Sequence, residues 1–83
     1  MTQGYGSWEE TAKGVIEEEM LSRGILYKEF SRRLEPMGIH ESADQLNRKV
    51  NRKRFSAAFL FACLCAMDVK TIKVADLNWG QNK

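Results

Sequence analysis

The chain has 83 residues, of which 43% are hydrophobic and 29% charged, and a formal net charge of +2. That length allows one domain around one small core and leaves little room for the deep, water-excluding pocket that most enzymes need. No apolar stretch approaches the roughly 18 residues that span a bilayer, and the start of the chain lacks the basic and apolar regions of a secretory signal, so a cytoplasmic protein is expected.

Residues 1–6 are expected to be disordered. Ser7-Trp8-Glu9-Glu10 then fits a capping box, in which Ser7 bonds the Glu10 amide and Glu10 returns the bond, so a first helix is predicted to begin at Trp8. Its apolar positions Trp8, Ala12, Val15, Ile16 and Met20 recur at spacings of three and four, a single stripe for the core. Arg23 suits the negative end of that helix, and Gly24 supplies a left-handed stop. A second helix is predicted from Tyr27 to about Glu35, with Phe30 and Leu34 inward and Lys28, Arg32 and Arg33 outward. Pro36 biases Glu35 away from helical geometry, so the helix is expected to end or kink there.

His40 to Ser42 offer polar starts for a third helix, which buries Leu46 and Val50 and turns Asp44, Gln45, Asn47, Arg48 and Lys49 elsewhere. The only histidine, His40, reads as a surface or capping residue. From Arg48 to Arg54 the chain carries five positive charges and no negative one, directly before the apolar run Ala57 to Met67. Ser56 caps that run as a fourth helix. It places Phe59, Leu60, Cys63, Leu64 and Met67 on one face and Ala58, Phe61, Ala62 and Cys65 on the other, so both faces need cover. Ile72 and Val74 alternate with Lys73 like a short strand or extended arm, which either folds back on helix 4 or pairs across a second copy. Domain boundaries at 7–69 for the helical part and 70–83 for the arm follow.

Charge is strongly asymmetric along the chain. Residues 1–22 hold five glutamates against one lysine, whereas residues 23–54 hold nine cations against four carboxylates. One end of such a molecule faces a phosphate backbone while the other faces solvent, the sign pattern expected of a nucleic-acid binder. Cys63 and Cys65, at i and i+2 on a helix, point in directions too different to close a disulfide and read as small hydrophobes. No metal spacing, phosphate loop or nucleophile with a base is present, so neither cofactor nor catalytic function is expected.

The run from Leu21 through Arg23, Gly24 and Phe30 to Leu34, with Ser31 as the small residue that lets a third helix pack close, resembles the λ-repressor-like helix-turn-helix fold. That fold is shared by Cro-type and many small bacterial regulators. Leu46 and the turn from Asn51 to Phe55 resemble the anchor of its recognition helix and the loop after it, and the likeness covers about residues 8–69. It is closer still to a family of short bacterial domains of unknown function, on Trp8-Glu9-Glu10 and on the segment from Lys49 through Arg52, Phe55, Ser56, Ala57 and Ala58 to Phe59. In two places the chain differs from the helix-turn-helix pattern. Glu35-Pro36-Met37-Gly38 stand where a single glycine is usual, and Leu26 stands where a Ser or Thr cap is usual.

The resemblance implies an all-α, four-helix DNA-binding protein, a bacterial transcriptional regulator that reads double-stranded DNA with helix 3. Ala43, Asp44, Asn47 and Arg48 then face base edges, Arg48 bonding a guanine bidentately and Asn47 addressing adenine. Asp44 accepts from a cytosine amine, neutralises Arg48, or argues against a reading helix. Tyr27, Lys28, Arg52, Lys53 and Arg54 contact phosphates. Five neutralised phosphates give a log–log salt slope of about −4 to −5. A domain this small makes few contacts, so a homodimer through Ala58, Phe61, Ala62, Cys65, Ile72 and Val74 is expected. The competing reading is a protein–protein interaction module, adaptor or antitoxin-like, with the same fold and no nucleic acid.

Overall fold

Four α-helices follow one another, α1 Gly4–Arg23, α2 Tyr27–Leu34, α3 Ala43–Arg52 and α4 Ala57–Ala66, with 3-10 turns at Glu35–Met37 and Val74–Asp76. The structure, a computed structural model, describes residues 4–77, and the expected terminal segments at 1–3 and 78–83 lie outside these. Among the described residues the protein is all-helical.

The helix boundaries follow from local chemistry. The Gln45 amide donates to Ser42 Oγ at 3.1 Å and the Ser42 amide donates to Gln45 Oε1 at 2.8 Å, a complete capping box at the start of α3. At α4 the Phe59 amide donates to Ser56 Oγ at 3.0 Å. Leu26, before α2, has no oxygen to offer and makes no side-chain cap. Three helical segments end in the same way, with a left-handed residue followed by a bond back across six residues: Gly24 with Ile25 N–H to the Met20 carbonyl, Gly38 with Ile39 to Leu34, and Asp68 with Val69 to Leu64. Lys53 takes the left-handed position after α3, at φ 68°. A glycine there avoids the Cβ clash that lysine accepts.

The core is a single cluster built from Ile16 and Met20 of α1, Ile25, Phe30 and Leu34 of α2 and its lead-in, Leu46 and Val50 of α3, and Phe59, Cys63, Leu64 and Met67 of α4, and it buries no polar side chain. The i, i+4 pairs Phe30/Leu34 and Leu46/Val50 place two apolar stripes against each other, so α2 and α3 share the centre of the molecule. Two arginines close the end of α4. Arg23 Nη1 donates to the Met67 carbonyl at 3.0 Å and Arg33 Nη1 to the Ala66 carbonyl at 3.2 Å, supplying donors and positive charge where the helix exposes unpaired carbonyls. Arg33 is thus a half-buried brace between α2 and α4 and not the outward cation expected from its position in α2.

Four further expectations are corrected. Helix α1 begins at Gly4, so residues 4–6 are helical and not disordered, and Ser7 lies inside the helix with Thr11 Oγ1 donating to its carbonyl at 3.2 Å. A capping residue needs extended backbone, so the Ser7–Glu10 box does not form. Of the strand or extended arm expected in the C-terminal segment, the strand does not form among the described residues: Val74–Asp76 is a 3-10 turn, entered from Lys73 in extended backbone. A lone strand in an all-helical domain has no ladder to satisfy its backbone groups. The acidic and basic halves of the sequence meet in the fold instead of facing apart: Glu10 pairs with Lys53 and Glu9 with Arg54.

Gly14 sits in mid-α1 at ordinary helical geometry, and a Cβ built there meets nothing within 4 Å. Gly14→Ala is therefore expected to raise stability by about 0.5–1 kcal/mol through helix propensity alone. A thermal midpoint several degrees higher is the measured sign, and an unchanged or lower one contradicts it.

Candidate nucleic-acid interface

Helix α3 is held against α2 by apolar packing and by one side-chain tie. Ser31 Oγ donates to the Glu41 carbonyl at 2.7 Å, fixing the chain just before the α3 cap onto the small residue of α2. With Leu46 and Val50 fully buried, the 100° step per residue turns Asp44, Arg48 and Arg52 to the opposite, solvent side. Asp44, Asn47 and Arg48 are exposed there, whereas Ala43 is half-buried at the flank. Asn47 is engaged by the residue one turn on: Asn51 Nδ2 donates to its Oδ1 at 2.6 Å and to its carbonyl at 2.8 Å. Asn47 and Asn51 thus present a joined amide pair beside Arg48.

The five cations of the basic run divide into two groups. Lys49 is turned inward, its Nζ 2.6 Å from Glu41 Oε2 and 5.0 Å from the centre of the Phe59 ring. Lys53 Nζ lies 2.6 Å from Glu10 Oε2, and Arg54 Nε lies 3.6 Å from Glu9 Oε2. The hydrogen bond from Lys53, followed by its charge, holds the Glu10 carboxyl below the usual carboxylate range. Arg48 and Arg52, one turn apart on the outer face of α3, hold no carboxylate among the described residues.

On α2, Lys28 is exposed. Its neighbour Glu29 is shared by Arg32 at 2.9 Å and Arg33 at 3.0 Å, and the hydrogen bonds from these two hold its carboxyl below the ordinary range. Tyr27 is only half-exposed. It packs on the core with its ring 6.3 Å from that of Phe30, and burial, then the Glu17 carboxylate and Cys63, push its hydroxyl above the usual value.

The residues expected at a dimer contact gather on the far side of α4. Phe61, 64% exposed, and Cys65 line a groove of about 650 Å³ with Ile72 and Val74, the latter 74% exposed. Ala58 is exposed, while Ala62 packs partly against the core. Cys63 is buried, and burial, with Glu41 as the lesser cause, pushes its thiol up to about 12, as befits a packing residue.

Glu9 and Glu10 enter the sequence reading only through a capping box and the Trp8-Glu9-Glu10 motif, and Glu41 only as a polar position before the third helix, yet the three fix the geometry of three of the five cations. Only the charge asymmetry hinted at the pairing of the α1 glutamates, because partners as far apart in the chain as Glu10 and Lys53, 43 residues, leave no spacing to read. The Asn47–Asn51 pair, by contrast, has the i, i+4 spacing of neighbours on a helix.

The molecule is therefore a small all-α domain whose third helix carries an exposed basic face beside a turn rich in ion pairs. Residues 8–72 match the model of the family described as Domain of unknown function (DUF6471), and the chain belongs to that family. No curated protein and no solved structure matches it.

Proposed function

We propose that the domain binds double-stranded DNA as a transcriptional regulator, in the manner of small λ-repressor-like helix-turn-helix proteins, with α3 as the reading helix and no catalytic role. The observation that carries this reading is the pair Arg48 and Arg52. The other three cations of the run each hold a carboxylate, whereas these two extend from the face of a fully capped helix with none among the described residues. Arg48 beside Asn47 and Asn51 supplies base-edge donors and acceptors, and Lys28 and Arg52 supply phosphate contacts. Ser31 bonding the chain ahead of α3 fits the close approach that the helix-turn-helix arrangement needs. The connection of eight residues between α2 and α3 is longer than the turn of the usual motif.

The test is fluorescence anisotropy with a mixed-sequence duplex over about 50 to 200 mM salt. If Lys28, Arg52, Lys53 and Arg54 all reach phosphates, log affinity falls with log salt at a slope of about −3 to −4. Binding that ignores salt, or none, removes the proposal. A homodimer through α4 and the C-terminal segment belongs to the same reading, since two half-sites compensate for the few contacts of one domain. Sedimentation at micromolar concentration is expected to give twice the 9.5 kDa of one chain, and a species of 9.5 kDa alone contradicts it. The outward Phe61 beside its groove favours a second reading, a protein–protein interaction module, which predicts no DNA binding at any salt.

A further inference from the structure

We propose that Glu9 and Glu10 act as internal substitutes for DNA phosphates, occupying Arg54 and Lys53 in the unbound protein and lowering its affinity for a nucleic-acid backbone. The inference rests on the DNA-binding reading and adds regulation of that same surface. A carboxylate and a phosphate offer ammonium and guanidinium groups the same kind of anionic oxygen acceptor. The geometry is already made in the free chain: 2.6 Å from Lys53 Nζ to Glu10 and 3.6 Å from Arg54 Nε to Glu9, two consecutive glutamates of α1 on two consecutive cations of the α3–α4 turn.

Two other features point the same way. Lys53 holds the left-handed position that a glycine fills with less strain, so the turn carries a charge where relaxed backbone geometry favours no side chain. The part of α1 that bears Glu9 and Glu10 lies ahead of the residues through which the helix is anchored, Ile16 and Met20, and it includes Gly4 and Gly6. It meets the turn through exposed ion pairs, with Arg54 80% exposed. Such pairs exchange partners by side-chain rotation, with no change in the core.

A phosphate backbone reaching the turn therefore has to displace two carboxylates before Lys53 and Arg54 contribute. Both the affinity and the salt slope of the wild-type protein are reduced accordingly, because each cation that engages a phosphate adds about −0.9 to the slope. Unoccupied, the same two residues add up to about −1.8.

The experiment compares three full-length proteins on one mixed-sequence duplex: wild type, Glu9→Gln with Glu10→Gln, and Glu17→Gln with Glu18→Gln. The second pair removes the same charge from the same helix, about 12 Å further along its axis. The Glu9/Glu10 variant is expected to bind about 3- to 10-fold more tightly at low salt than wild type, with a slope steeper by one to two, and the control variant to change by less than about 2-fold. Carboxyl carbon resonances of Glu9 and Glu10 in the wild type are expected to move when duplex is added, while those of Glu17 and Glu18 stay. Equal gains in both variants mean that only net charge matters and overturn the inference, as does no gain in the Glu9/Glu10 variant. In either case the DNA-binding reading stands so long as the wild type binds. Failure of all three proteins to bind removes that reading and this one together.

Discussion

Arg48→Ala is expected to lower affinity for the preferred duplex about 5- to 150-fold, the range set by 1–3 kcal/mol for a bidentate arginine–guanine contact, while the salt slope stays nearly unchanged. The side chain projects from the outer face of α3, opposite the buried Leu46 and Val50, so its removal leaves the core and the far-UV circular dichroism intact. Arg52→Ala, one turn on, is expected to behave differently. It weakens all sequences alike and reduces the slope by about one, the signature of a phosphate contact. The comparison is made by titrating both variants against a selected site and a scrambled duplex. If Arg48→Ala weakens both duplexes equally and flattens the slope, α3 holds the backbone without reading bases. If neither variant alters binding, α3 is not the interface.

The largest effect on stability is expected from Phe30→Ala. Phe30 heads the fully buried side chains in volume and is 0% exposed, in the one core to which all four helices contribute. Truncation removes its transfer energy and leaves a cavity, together about 3–5 kcal/mol. A domain of this size sits toward the lower end of the usual 5–15 kcal/mol, so the variant is expected to lose most of its cooperative transition in urea. Phe30→Leu, which keeps the apolar character and much of the volume, is expected to cost about 1.5 kcal/mol and to retain a transition. A Phe30→Ala protein that melts like the wild type contradicts the single-core account.

Much of the scaffold was legible before any coordinates, for reasons that act over a few residues. Ser56 caps α4 because a hydroxyl beside an apolar run accepts the amide three residues on. Gly24 and Gly38 end their segments because left-handed backbone suits a residue without Cβ. Phe30 with Leu34, and Leu46 with Val50, face inward because four residues is nearly one turn. Where local rules failed, a longer-range arrangement or an equally good local alternative intervened. Ser7 had the spacing of a cap, but the helix continues back through it to Gly4. Asp68 takes a left-handed position that aspartate tolerates better than most residues, whereas Lys53 takes one that its residue type does not advertise.

The candidate surface divides along the same line. The sequence by itself determined that a basic run follows a helix with an apolar stripe and that an apolar fourth helix needs cover on both faces, from its own tail or a second copy; that α3 extends to Arg52, on the same face as Arg48, came from the structure. Only the tertiary structure decided which cations face outward. Lys49 is drawn in by Glu41 and the Phe59 ring and Arg33 by the carbonyl end of α4, while Lys53 and Arg54 pair with the glutamates of α1, Arg54 remaining largely exposed. Periodicity along one helix fixes the direction of a side chain relative to its own axis. The charge that meets it depends on how separate helices cross, which is settled by packing of the shared core.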